Sequence, residues 1–134
     1  MAASYAKAKA RKTKGHFINI PHSVVEDERY TRLSSKARAL LIDMCHQIRF
    51  GKHGVKNNGD LCTAWGYMQK RGWGSAGTVH AAKNELIDSG WLIQTRQGGK
   101  RKPSLYAISW LRINESTKYD EGIKATDRPL GNTN

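Results

Sequence analysis

Acidic side chains are scarce in this chain. Its 134 residues carry 11 Asp and Glu against 23 Lys and Arg, a formal net charge of +12. Such an imbalance says little about fold but favours polyanionic partners, above all nucleic acid. Cysteine is nearly missing too, with only Cys45 and Cys62 and no close pairing between them. A secreted disulfide scaffold is denser in cysteine, so a reducing, cytoplasmic setting is expected. No run approaches the ~18 apolar residues of a membrane span, and no membrane partner is expected. The opening MAASYAKAKARKTK lacks the apolar centre of a secretory signal,.

Catalytic signatures are also wanting. There is no Gly-rich loop ending in Lys-Ser or Lys-Thr, and no His-x-His pair. No nucleophile stands beside a recognisable orienting base. The expectation is therefore no enzyme, no cofactor and no metal. Cys45, His46, His53 and Cys62 are zinc-ligand types, but they lack the close pairs of compact zinc sites. The run Glu26-Asp27-Glu28 reads as a solvated turn.

The positive charge that is present is clustered. Lys7, Lys9, Arg11, Lys12 and Lys14 fall in an opening stretch without acids. Arg96, Lys100, Arg101 and Lys102 surround a Gly98-Gly99 turn. These two groups supply most of the net +12, a footprint expected where a chain meets phosphates. Residues 1–15 read as a flexible basic arm, 16–111 as one folded domain, and 112–134 as a polar, poorly ordered tail.

Within the domain, Leu33, Ala37, Leu40, Leu41, Met44 and Ile48 recur at helical spacing,. They predict a helix over 35–49, capped by Ser34 or Ser35 and ended by Gly51. The Asn57-Asn58-Gly59 run is turn chemistry. Asp60 is expected to cap a second helix, LCTAWGYMQKR, with Leu61, Ala64, Trp65 and Met68 facing inward. After Gly-Trp-Gly, Ser75 is expected to cap a third helix whose Val79, Ala82 and Leu86 point one way. WLIQTR and SLYAISW then alternate as the strands of a β-hairpin around QGGKRKP. Trp73, in the link between helices, reads either as a core plug or as an exposed contact.

Helix, link, helix, tight turn, helix, hairpin is the order of a winged helix-turn-helix. The expected class is α+β, mainly α, with three helices and a β-hairpin wing. In that arrangement the third helix enters the DNA major groove, and the hairpin grips the backbone or minor groove. The expected contacts on the third helix are Ser75, Gly77, Thr78, His80, Ala81, Lys83 and Asn84. Small residues at its start allow close approach. Ser75, Thr78 and the free backbone N–H groups suit phosphate oxygens, and Asn84 suits adenine. His80 and Asn84 fit equally well as plain solvent-facing residues. The expected hairpin contacts are Arg96, Lys100, Arg101 and Lys102, with Gly98-Gly99 at the tip, and the basic arm adds a third set.

The run LSSKARALLIDMCHQI, then NNGDL, then GTVHAAKNELIDSGWLIQTRQGGKRKPSLYAISW resembles small winged-helix proteins of bacteria, prophages and other mobile elements. The resemblance covers about residues 16–115. It implies a double-stranded DNA partner and a role in transcriptional regulation or replication of a mobile element. His80, Ala81 and Asn84 stand where that family often carries Arg, which argues against strong guanine readout. A protein-interaction module, docking on or inhibiting a host nucleic-acid-binding complex, is the alternative from a different class. Whether the chain forms a homodimer is open at this level.

Overall fold

The computed structural model describes residues 15–126. The expected contacts at Lys7, Lys9, Arg11, Lys12 and Lys14 lie outside the described residues. In chain order the elements are α1 (His22–Val25), α2 (Glu28–Thr31), α3 (Ser35–His46), β1 (Phe50–Gly51), β2 (Gly54–Val55), α4 (Trp65–Lys70), α5 (Ala76–Asp88), β3 (Leu92–Arg96) and β4 (Leu105–Ile108). The fold is α+β and mainly helical, with two small antiparallel hairpins, β1–β2 and β3–β4. This order is compatible with a winged-helix layout. None of the described helices is long and apolar enough to cross a membrane.

The core follows the helical spacing. Ala37, Leu40, Leu41 and Met44 of α3 are buried against Val79, Ala82 and Leu86 of α5, closed by Trp91, Leu92, Tyr106 and Ile108. Ser34 caps α3 by accepting the Ala37 N–H at 3.1 Å. The same serine is held by Glu85 of α5, whose carboxylate accepts its N–H and its hydroxyl, each at 2.7 Å. One carboxylate therefore locks the start of α3 to α5.

Helix α3 stops at His46, three residues short of the expected end and well before Gly51. The reason is competition from amide side chains. Gln47 donates to the Cys62 carbonyl (2.8 Å) and accepts from the Cys62 N–H (2.9 Å). Asn57 donates to the Gln47 carbonyl and accepts from the Arg49 N–H, both at 2.8 Å. Backbone groups that another helical turn would need are already satisfied.

Asp60 does not cap the second helix. That helix begins at Trp65, after Ala64, without a side-chain cap. Leu61 instead exchanges two backbone hydrogen bonds with Tyr106, at 3.1 and 2.8 Å, and its side chain is fully buried. Extended pairing to β4 thus wins over helix for the residues just after Asp60. Of the expected inward stripe, Leu61 and Met68 are buried, while Ala64 and Trp65 are exposed. Asp60 pairs with Lys118 at 3.2 Å.

Residues 112–126, read from the sequence as a poorly ordered tail, lie against the body. Ile113 is buried. The ladder of β3 and β4 has a bulge between Gln94 and Arg96. A bulge leaves backbone groups unpaired, and the Thr95 carbonyl there accepts the Asp120 N–H at 2.8 Å. The Asp120 carboxylate in turn accepts the Gln97 N–H at 2.7 Å. The anchor of this segment is Asn58, a fully buried polar residue. Its amide donates to the carbonyls of Ile108 (3.0 Å), Arg112 (2.9 Å) and Leu111 (3.3 Å), and its Oδ1 accepts the Ile108 N–H (2.7 Å). Next to it, Gly59 has φ of +120°, and a Cβ there would overlap the Tyr119 ring and hydroxyl. Tyr119 donates its hydroxyl toward the carbonyls of Asn114 (2.7 Å) and Asn58 (3.1 Å). Burial, with the nearby Asp60 carboxylate, pushes its phenol up to about 12.

Candidate nucleic-acid interface

Helix α5 begins in the open. Ser75 Oγ accepts the Thr78 N–H at 3.1 Å and lies 2.8 Å from the Thr78 hydroxyl. Both hydroxyls expected to meet phosphates are therefore already engaged in the helix cap. The backbone around them is accessible, since Gly74, Ser75, Ala76 and Gly77 are exposed and nothing approaches the Cβ position of Gly74 or Gly77. Backbone N–H groups of a first helical turn carry partial positive charge and favour anions.

One turn further along, His80, Lys83 and Asn84 come together on the outer face. Lys83 Nζ lies 3.3 Å from His80 Nδ1, and Asn84 Nδ2 lies 3.2 Å from His80 Nε2. Both neighbours are donors and a neutral imidazole has one acceptor nitrogen, so the ring accepts from one of them at a time. His80, Ala81 and Asn84 are exposed, and Lys83 is half-buried.

The β3–β4 hairpin carries the second cluster. Its tip is Lys100-Arg101, not Gly98-Gly99. Gly99 and Lys102 close the turn with two backbone bonds at 3.0 and 3.2 Å. Arg101 sits there with φ of +68°, the one non-glycine residue with positive φ among those described. A left-handed conformation costs a residue with a side chain about 1–2 kcal/mol. Gly98 is needed for closeness instead: a Cβ there would overlap the backbone of Lys102 and Ser104. Its N–H donates to the Ser104 hydroxyl at 2.8 Å. Arg96 differs from the tip residues, because its Nε and Nη2 donate to the Pro103 carbonyl at 3.2 and 2.8 Å. It staples the hairpin. Lys100, Arg101 and Lys102 are exposed.

Long-range partners hold α5 in place, and the sequence pattern did not reveal them. Asp43 of α3 is buried. It accepts the Trp73 indole N–H at 2.7 Å and the Arg71 Nε–H at 2.9 Å. Trp73 is thus a core plug, 8% exposed, in the link between α4 and α5. Lys36 lies 5.7 Å above its ring. Facing Asp43 raises the already high Arg71 pKa, chiefly through their hydrogen bond. No Asp or Glu occurs from Leu61 to Asn84, or from Ser89 to Asn114. That acid-free distribution was the available sequence signal for the extent of the surface.

Among the described residues, no three His, Cys, Asp or Glu side chains gather as a metal site. Cys45 is buried, and desolvation pushes its thiol up to about 12. No protein-family model matches the chain, and no curated protein or solved structure matches it either.

Proposed function

We propose that this chain is a DNA-binding protein of winged-helix type. In this reading α5 enters the major groove, and the β3–β4 hairpin lies along the backbone or in the minor groove. The observation that carries it is the pairing of two exposed, acid-free stretches, 74–84 and 96–104. One is the open start of α5 with its His80–Lys83–Asn84 face. The other is a hairpin tip whose Lys100, Arg101 and Lys102 are exposed and form no salt bridge among the described residues. A tip that concentrates like charge repels itself unless an anion lies against it.

The base reader is Asn84. Its side chain is exposed on the outer face of α5, and an amide pairs with adenine N7 and N6 when it docks edge-on,. A sequence-specific transcriptional regulator of a mobile element, acting in the cytoplasm, is the most concrete form of the proposal. A replication-associated role would use the same surface. Selection of bound duplexes from a random pool tests it. The expected result is a preferred site containing an A·T pair, and Asn84→Ala relaxes the preference at that pair by about 1–3 kcal/mol. A pool that returns no preferred site would refute sequence-specific readout.

A further inference from the structure

A cleft of about 530 Å³ opens between the segment preceding α1, the end of α3 and the residues that follow β4. Its volume falls within the roughly 300–1,000 Å³ of small-molecule sites. Phe17, Phe50 and Trp110 give it aromatic walls, and Arg49, Lys56 and Asn19 add polar groups. No Asp or Glu lines it.

Two of the rings are left largely in water. Phe17 is 61% exposed and Phe50 is 42% exposed. Arg49 is held at the cleft by one end, its Nη1 donating to the carbonyls of His46 (2.8 Å) and Ile48 (3.1 Å). Its remaining guanidinium N–H groups, and the Lys56 ammonium, have no partner among the described residues. Cys45 also lines the cleft, and burial keeps its thiol neutral by pushing it up to about 12. The cleft therefore presents partly exposed aromatic rings beside one anchored guanidinium and one exposed ammonium, with no Asp or Glu in its lining.

We propose that this cleft holds one nucleotide, its base against Phe17 and Phe50 and its phosphate on Arg49 and Lys56. Every base offers a flat π-face, and aromatic side chains next to cations are how proteins hold unpaired nucleotides without sequence preference. The same chemistry is supplied by a free mononucleotide or by one residue of a single strand. None of these side chains belongs to α5 or to the β3–β4 hairpin, so the site stands independently of duplex recognition.

Calorimetric titration of the full chain with thymidine monophosphate, thymidine and a short oligothymidylate tests the assignment. Phe50→Ala and Lys56→Met are run alongside, and each keeps the duplex affinity of the parent as a check on folding. Phe50→Ala is expected to weaken the oligonucleotide by at least about fivefold, the lower end of base–aromatic stacking. Lys56→Met weakens both phosphorylated probes and leaves thymidine unchanged. Comparable affinity for the mononucleotide and the oligonucleotide assigns a free nucleotide. Much tighter oligonucleotide binding assigns a strand. The proposal is overturned if neither phosphorylated probe binds, or if oligonucleotide affinity is unmoved by both substitutions.

Discussion

Asn58→Ala should be among the most damaging single substitutions in this protein. The side chain is fully buried and makes four hydrogen bonds to the end of β4 and the residues after it. Truncation leaves the carbonyls of Leu111 and Arg112 without the amide, but both residues are half-buried and water can reach them. The Ile108 N–H has no such relief, because Ile108 is fully buried, whereas the Ile108 carbonyl keeps the Leu111 N–H at 3.3 Å. One orphaned backbone group at about 1–3 kcal/mol, with a small cavity, gives a loss of about 2–4 kcal/mol. That is a large share of the ~5–15 kcal/mol by which domains are stable. Urea denaturation should show the midpoint falling by roughly 1–2 M, at an m-value of about 2 kcal/mol/M. Asn58→Asp sharpens the test. It keeps the acceptor for Ile108 but turns a carboxylate toward three carbonyl oxygens, so it should be at least as harmful as alanine. A loss below about 1 kcal/mol for alanine, or near-parent stability for aspartate, would refute the account of Asn58 as a buried donor.

Two further outcomes follow from the same structure. Asp43→Ala strands the buried Trp73 indole N–H, while the exposed Arg71 guanidinium is taken up by water, and should lower stability by about 1–3 kcal/mol,. Asp43→Asn keeps one acceptor and should lose about half as much in thermal melts; equal losses would mean that the carboxylate's hydrogen bonds do not matter. Stability should also fall on the alkaline side. Cys45 and Tyr119 rise from ordinary values of 9.0 and 10.0 to about 12 in the folded chain. Their protonated forms are favoured by folding, so the contribution is complete below pH 9 and is lost as pH climbs to about 12. Melting curves of Cys45→Ala across that window should show a shallower decline than the parent, and an identical decline would contradict the assignment to Cys45.

Much of the helical frame was legible because it is local. The apolar spacing of α3, the caps Ser34 and Ser75, and the strand character of β3 and β4 each depend on residues a few positions apart, but the expected alternation fails in β4, whose four residues are all buried. What was not legible depends on partners far along the chain. Asn57-Asn58-Gly59 reads as a turn, but Asn58 is a buried hub because residues 108–112 present carbonyls to it. Asp60 reads as a cap, yet Leu61 is drawn into pairing with Tyr106. The tail looked too polar to pack. Ile113 is buried all the same, and Asp120 satisfies groups that the Thr95 bulge exposes. At the candidate interface the exposed face of α5 follows from helical period. The engagement of Ser75, Thr78 and Arg96 in internal hydrogen bonds does not, since it needs the turn geometry.

The central claim is that the hairpin tip meets DNA phosphates, and its most direct test is the salt dependence of duplex binding. Fluorescence anisotropy with a labelled duplex, over a series of salt concentrations, should give a steep linear fall of log affinity with log salt. Replacing Lys100, Arg101 and Lys102 by Ala should flatten the slope by up to about 2.7, at about 0.9 for each phosphate that is no longer neutralised. An unchanged slope in the triple variant, or no duplex binding at low salt, would contradict the proposal.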